Sequence, residues 1–97
     1  MIVGVGYVEI QVFEAHSLKE KRRVVRSLVE RTRNRFNASI SEVNYQDVWQ
    51  MAGIGITCAS TSSAHADQML AEIINFIERN VLFGSIVDVH TELIPWD

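Results

Sequence analysis

The sequence has few of the residues that divide, cross-link or anchor a chain: one cysteine and one proline in 97 residues. The single cysteine, Cys58, excludes an internal disulfide and fits a reducing compartment. With only Pro95 and no low-complexity tract, no linker is evident, so we expect one domain over residues 1–97. No apolar run is long enough to span a membrane, and the opening MIVGVGYVEI lacks the basic start of a signal peptide. These absences predict a cytoplasmic protein without a membrane partner.

Positive charge is scarce everywhere except in one stretch. Residues 17–36, SLKEKRRVVRSLVERTRNRF, hold eight of the nine basic residues against two acidic ones, a net charge of +6. The remaining residues hold one basic residue against ten acidic ones, a net charge of −9, which gives the overall charge of −3. The mildly acidic chain therefore contains one strongly basic segment, and this asymmetry is its main functional signal.

The basic segment is predicted to be a helix. Ser17 and Glu20 have the spacing of a capping box, in which each side chain satisfies a free amide of the first turn. Asn37 follows the segment and tolerates the left-handed conformation that ends many helices. Apolar residues recur at helical spacing and should form one buried stripe: Leu18, Val25, Leu28, Val29, Thr32 and Phe36.

Basic residues crowd the first two turns of this helix, where the helix dipole disfavours them by roughly 0.3–1 kcal/mol each at low salt. A cationic cluster at a helix start is favourable for a phosphate group, because free amides and the dipole add to the side chains. The candidate site for RNA or another anion consists of Lys19, Lys21, Arg22, Arg23, Arg26 and Arg33. A solvated face with internal pairs explains the same residues: Arg26 with Glu30 one turn on, or pairs with acids of the second helix such as Glu72.

Alternating apolar and polar residues predict strands at 2–13, 38–45, 49–60 and 85–94. A serine-rich segment then begins a second, acidic helix that runs to about residue 79. The apolar phase slips between Ile40 and Val43, which favours a bulge in the second strand. Gly4 and Gly6 lie inside the first strand, so close packing or a bulge explains them better than a dinucleotide-binding loop.

The order strand, helix, strand, strand, helix, strand predicts an α+β fold, the ferredoxin-like split βαβ sandwich. We expect a four-stranded antiparallel sheet in the order 4-1-3-2, with both helices on one face. The apolar residues expected beneath the helices are Val8, Ile10, Val12, Ile54, Ile56, Val87 and Val89. The residues expected on the open face are Tyr7, Glu9, Gln11, Trp49, Met51, Thr57, Asp88, His90 and Glu92.

The open sheet face is a candidate surface for a protein partner or a second copy of the chain. Tyr7, Trp49 and Met51 would supply large side chains there, and Gly53 and Gly55 would flatten the third strand. Base stacking on this face, as in RNA-recognition folds, is not expected, because the central third strand lacks aromatic residues and acidic side chains would repel phosphates.

No catalytic constellation can be assembled from the titratable residues. His16, His65 and His90 fall in different elements without metal-ligand spacing, and Cys58 should lie inert in the core. Carboxylates and a histidine would meet if the first and last strands pair, but a solvated sheet face explains them equally well. We therefore expect neither an enzyme nor a cofactor or metal site.

Three segments, SLKEKRRVVRSL, RNRFN and EVNYQDVWQ, resemble the YlxP-like family of small bacterial proteins of unknown function. The resemblance runs nearly end to end, including the opening MIVGV, and rests on Ser17-Leu18-Lys19, Lys21-Arg22, Phe36-Asn37, Glu42 and Gln46-Asp47. It implies a ferredoxin-like fold and carries over no enzymatic activity. Genes of this family often lie near those for translation initiation and ribosome maturation, which implies an association with RNA or the ribosome. Gly6 departs from the large apolar residue that the resemblance predicts there.

The function favoured by these observations is a non-enzymatic accessory protein that contacts structured RNA or a ribonucleoprotein through the basic helix, residues 18–36. The first alternative is a homodimeric protein-interaction module that uses the open sheet face and binds no nucleic acid. The second is a regulatory domain that binds a small anionic metabolite at the start of the basic helix.

Overall fold

A computed structural model describes residues 1–97 and contains four strands and two helices. In chain order they are β1 (Ile2–Val12), α1 (Leu18–Arg35), β2 (Ser39–Asn44), β3 (Met51–Ser60), α2 (Ser63–Asn80) and β4 (Gly84–Pro95). The strands form one antiparallel sheet in the order β2-β3-β1-β4. This confirms the predicted α+β, ferredoxin-like fold and its strand order. Neither helix is long and apolar enough to cross a membrane.

The ends of α1 are set by local hydrogen bonds. The Ser17 hydroxyl accepts from the Glu20 amide at 3.1 Å, as the sequence predicts. The Glu20 carboxylate accepts from the His16 amide at 2.8 Å, one residue before the amide that a capping box would use. At the other end, Phe36 is extended with φ of −127°. The expected left-handed conformation at Asn37 is wrong, because the only non-glycine residue with positive φ lies elsewhere in the chain.

The core lies between the helices and one face of the sheet. Its fully enclosed side chains come from both helices and from β1, β2 and β3; the largest apolar ones are Ile10, Leu28, Ile40, Ile54, Ile56, Leu70, Ile73 and Ile77. On β1, Gly4 lets α2 approach closely: a Cβ there would lie 2.7 Å from Cys58 Sγ and 3.3 Å from Leu70 Cδ1. The close-packing interpretation of this glycine is therefore confirmed.

The last strand carries a register irregularity that changes which side chains face the helices. Ile10 on β1 pairs with Ile86, so Ile86 rather than Val87 occupies the core side, and the predicted position of Val87 is wrong. Val87 falls at the bulge and is 50% exposed. Val89 pairs with the buried Val8 and therefore lies on the helix face as predicted. It still keeps 41% exposure, because β4 is an edge strand with a neighbour on one side only.

The connection between β2 and β3 is longer than the sequence pattern indicates. β3 begins at Met51, and residues 45–50 form a turn. Tyr45 adopts the left-handed conformation, with φ of 62°, and its carbonyl accepts from the Val48 amide at 3.0 Å. Trp49 therefore lies in this turn, not on the strand, and its predicted position on the open sheet face is wrong.

The open face is less flat than the two glycines of β3 suggest. The register of β2 against β3 shifts just before Asn44, which confirms the predicted bulge. A Cβ on Gly53 would meet the Tyr7 hydroxyl at 2.5 Å and Asn44 Cβ at 2.7 Å, and one on Gly55 would meet Val43 Cγ1 at 3.0 Å. Side chains from the neighbouring strands thus lie over both glycines and fill the face.

Candidate nucleic-acid interface on helix α1

The two sides of α1 have opposite character. Its inner side packs over the sheet and consists of buried residues, among them Val25, Leu28, Val29 and Thr32. On its outer side a depression is lined by residues that all come from the helix and its cap: Ser17, Lys19, Glu20, Arg22, Arg23, Arg26, Ser27 and Glu30. None of these residues is apolar. The depression is therefore a polar surface between long side chains, and we call it the basic face.

Three cations of the basic face are free of intramolecular ion pairs. Lys19, Arg23 and Arg26 are exposed, and none takes part in the salt bridges of the structure. The expected pair between Arg26 and Glu30 is therefore absent, and no basic residue of α1 pairs with an acid of α2. Glu72 instead accepts a hydrogen bond from a glutamine one turn earlier in α2. The internal pairing that would explain these cations without a partner is not formed.

The prediction that Lys21 belongs to the anion site is wrong. Its side chain is fully buried, and Nζ lies 2.5 Å from Glu42 Oε2 and 2.8 Å from the Tyr45 carbonyl. Lys21 follows Leu18 by three residues and precedes Val25 by four, so helical geometry places it within the apolar stripe. Its ammonium group joins α1 to the end of β2 and cannot reach an external phosphate.

Arg22 and Arg33 extend from α1 toward β2 and the turn that follows it. Arg22 Nη2 lies 3.7 Å from Asp47 Oδ1, but both side chains are well exposed, so this ion pair is weak and screened by salt. Arg33 Nε donates to the Ile40 carbonyl at 2.8 Å, and its Nη2 lies 3.5 Å from Ser41 Oγ. Arg22 therefore remains available to an anion, whereas Arg33 is partly engaged in holding the edge of β2.

The predicted protein-interaction residues are not brought together. Tyr7 and Met51 lie on the open face, as their strand registers require, but Trp49 lies in the turn that precedes β3. The Tyr7 hydroxyl donates to Glu9 Oε2 at 2.9 Å and accepts from Asn44 Nδ2 at 3.1 Å. Partial burial raises the pKa of Tyr7, and the Glu9 carboxylate adds to this effect. This tyrosine is engaged within the sheet and offers a partner little free hydrogen-bonding capacity.

The titratable groups outside α1 do not form a metal-binding cluster. Pairing of β1 with β4 places Glu9 opposite Asp88, and His90 Nε2 lies 2.9 Å from Asp88 Oδ2 on the exposed sheet face. No three His, Cys, Asp or Glu side chains are grouped so that they could hold a metal ion. Cys58 is buried, as predicted, and burial raises the pKa of its thiol, which makes it a poor nucleophile.

Two comparisons place this chain among proteins whose activity is not known. A family described as "Protein of unknown function (DUF503)" matches residues 3–91, a range that includes all of α1. The chain is also 39% identical over 77 residues to a protein of Bacillus subtilis (strain 168) named "Uncharacterized protein YlxP". That alignment covers 79% of this chain and 84% of the Bacillus protein. Neither name states an activity or a partner. The resemblance to YlxP-like proteins is thereby confirmed, and the chain belongs to the DUF503 family of proteins of unknown function.

Proposed function

We propose that this protein is a non-enzymatic accessory protein that binds structured RNA or a ribonucleoprotein through the basic face of α1. The observation that carries this proposal is that Lys19, Arg23 and Arg26 are exposed without an acidic partner. Unpaired cations close together on a folded surface repel one another, and an external polyanion relieves that repulsion. Arg22 joins them, because its contact with Asp47 is long and exposed.

The chemistry of the basic face favours contact with the phosphate backbone over recognition of bases. The face holds lysine, arginine, serine and glutamate, and it holds no aromatic residue on which a base could stack. Lys19 and Arg26 lie seven residues apart, which is about 10 Å along a helix axis at 1.5 Å per residue. Such contacts fix the orientation of a protein on a nucleic acid but carry no sequence information. The expected ligand is therefore recognised by shape and charge.

The acidic remainder of the chain limits how an RNA can approach. The residues outside 17–36 carry a net charge of −9, and Asp88 and Glu92 lie on the open sheet face. A phosphate backbone is repelled by those surfaces, so α1 is the only element that attracts it. Binding in this orientation depends strongly on salt, because each phosphate contact releases counterions.

The first test is a charge reversal with a matched control. Arg23→Glu removes a cation from the basic face, whereas Arg79→Glu makes the same charge change in the last turn of α2. We expect Arg23→Glu to weaken binding to a double-stranded RNA probe at low salt and Arg79→Glu to leave it nearly unchanged, as measured by fluorescence anisotropy. Equal losses in the two variants would show that only total charge matters and would refute a site on α1.

The second test uses the salt dependence of the same assay. In the double variant Lys19→Glu with Arg23→Glu, the salt dependence of binding should be weaker. The magnitude of the slope of log affinity against log salt should decrease by about 0.7–0.9 for each phosphate group that the variant no longer neutralises. The fold should survive, because both side chains are exposed and a glutamate at position 19, in the first turn, interacts favourably with the helix dipole by roughly 0.3–1 kcal/mol. If the unmodified protein binds neither the RNA probe nor ribosomal particles at low salt, the proposed function is wrong.

A further inference from the structure

The outer edge of β4 is an exposed sheet edge with no strand or helix beyond it. β4 spans Gly84–Pro95, and only one of its edges is paired, with β1. Proteins usually protect such an edge with lysine, proline or a bulge, or by keeping it short. β4 contains no lysine or arginine, its only proline is at its end, and its bulge lies near its start, so its protection along most of its length is limited to the acidic residues Asp88 and Glu92. The other edge strand, β2, is half as long, at six residues, and is itself bulged.

Exposed apolar side chains accompany these unpaired backbone groups. Val87, Val89 and Ile94 of β4 are 50%, 41% and 39% exposed. Val89 lies on the helix face, where its β1 partner Val8 is fully buried, and it is exposed at the edge where no element lies beyond β4. An edge strand that combines unpaired backbone groups with large apolar side chains is a template for another strand. The Val89 amide donates to Asp88 Oδ1 at 3.0 Å, so pairing at this residue would replace that bond with one to a backbone carbonyl of the second copy.

We propose that two copies of this chain pair through β4, antiparallel, and form one continuous eight-stranded sheet. In this arrangement the two-fold axis is perpendicular to the sheet, so the helices of both copies lie on the same side. Equivalent edges meet each other, so the contact closes as a dimer and does not propagate. The pairing goes beyond the proposed RNA contact and leaves it free, because α1 packs against β2 at the opposite edge of the sheet.

The polar side chains of β4 favour one register of this pairing. When Val89 lies opposite Val89 of the second copy, Asp88 lies opposite His90 of the second copy, and the same pair forms a second time by symmetry. All four of these polar side chains lie on the open face, where Asp88 and His90 already contact each other at 2.9 Å within one strand. Centring the contact on His90 would instead put Asp88 opposite Glu92, a like-charge pair that is unfavourable. A second copy is thus complementary in one register and repelled in the next.

The interface is tested by measuring mass in solution with sedimentation velocity over a concentration series. The unmodified protein should reach dimer mass at high micromolar concentration, and Val89→Lys should remain a monomer. Met51→Lys is the matched control on the open face, and it should dimerise like the unmodified protein. A strict monomer at all concentrations overturns the proposal. So does a dimer that survives Val89→Lys, or one that Met51→Lys abolishes instead.

The register is tested by exchanging the paired side chains. Asp88→His places histidines opposite each other, and His90→Asp places aspartates opposite each other, so each single variant should dimerise more weakly. Because each change removes two cross-strand pairs, the dissociation constant should rise roughly 2- to 30-fold. The double variant Asp88→His with His90→Asp restores opposite types and should recover the original dissociation constant. Circular dichroism checks that each variant is folded. A double variant as weak as the single ones overturns the register.

Discussion

Removal of the buried ammonium group of Lys21 should be among the most destabilising single changes on α1. Lys21→Met keeps the aliphatic part of the side chain but leaves Glu42 Oε2 and the Tyr45 carbonyl without their donor. Removing one partner of a buried ion pair costs about 3–5 kcal/mol. Because the Glu42 side chain retains 19% exposure and can be partly hydrated, we expect a cost near the lower limit, about 3 kcal/mol.

Two further variants, Glu42→Met and the double replacement of Lys21 and Glu42 by methionine, separate the contribution of the ion pair from a simple loss of packing. Glu42→Met leaves the fully buried ammonium group of Lys21 without an anion, so it should cost more than Lys21→Met, nearer about 5 kcal/mol. Replacement of both residues by methionine leaves no unpaired charge, and such double replacements are often neutral or stabilising. The double variant should therefore be more stable than either single variant, giving a large coupling energy in the mutant cycle.

Urea unfolding gives the free energy of unfolding for each variant, and the thermal midpoint is an independent measure. For a domain of this size, a loss of 1 kcal/mol lowers the midpoint by about 4–8 °C. Lys19→Met is the matched control, because Lys19 is exposed and forms no ion pair, and it should change stability by at most about 0.5 kcal/mol. If Lys21→Met costs no more than Lys19→Met, the ammonium group is hydrated in solution and the reasoning fails.

Two further predictions concern β1 and the core beneath α2. Gly4→Ala should destabilise the protein by about 1–3 kcal/mol in urea unfolding, because the new Cβ would crowd Cys58 Sγ, whereas Gly6→Ala should be nearly neutral, because its Cβ would lie 3.4 Å from its nearest neighbours. Cys58 should react slowly with a thiol reagent until the protein unfolds, because burial raises its pKa. Since the unfolded chain then loses the thiol proton at lower pH, stability should fall as the pH rises above the ordinary thiol value of 9.0.

The fold could be predicted from the sequence because local signals and topology rules agree. Ser17 caps α1 as its spacing from Glu20 indicates, and the slip between Ile40 and Val43 does mark a bulge. The order of the elements leaves few antiparallel arrangements with right-handed crossovers, and the observed one is among them. Such features depend on neighbouring residues, which the sequence displays directly.

The site could be predicted only in part, because charge and position have to be weighed together. The charge of Lys21 favours the basic face, but its angular position on α1 places it on the apolar side. The aromatic side chain of Trp49 favours a strand, but Trp49 lies in a turn that begins at Tyr45. Tyr45 is left-handed, a conformation that is uncommon for tyrosine and is not predicted from its residue type. Ile86 and Val87 are adjacent and both apolar, so alternation cannot decide which one faces the core.

The position of β1 has a consequence for how the protein is made. β1 is the first element of the chain, yet it lies in the middle of the sheet, and its partners β3 and β4 come late in the sequence. At its very start, the Met1 ammonium donates to the Trp96 carbonyl at 3.2 Å, across a sequence separation of 95 residues. Contacts this distant slow folding, typically to milliseconds or longer. During synthesis at about 5–20 residues per second, β1 must wait several seconds for its second neighbour. Throughout that interval the edge of β1 that later pairs with β4 has no strand partner, so the newly made chain presents an open sheet edge that the finished protein covers.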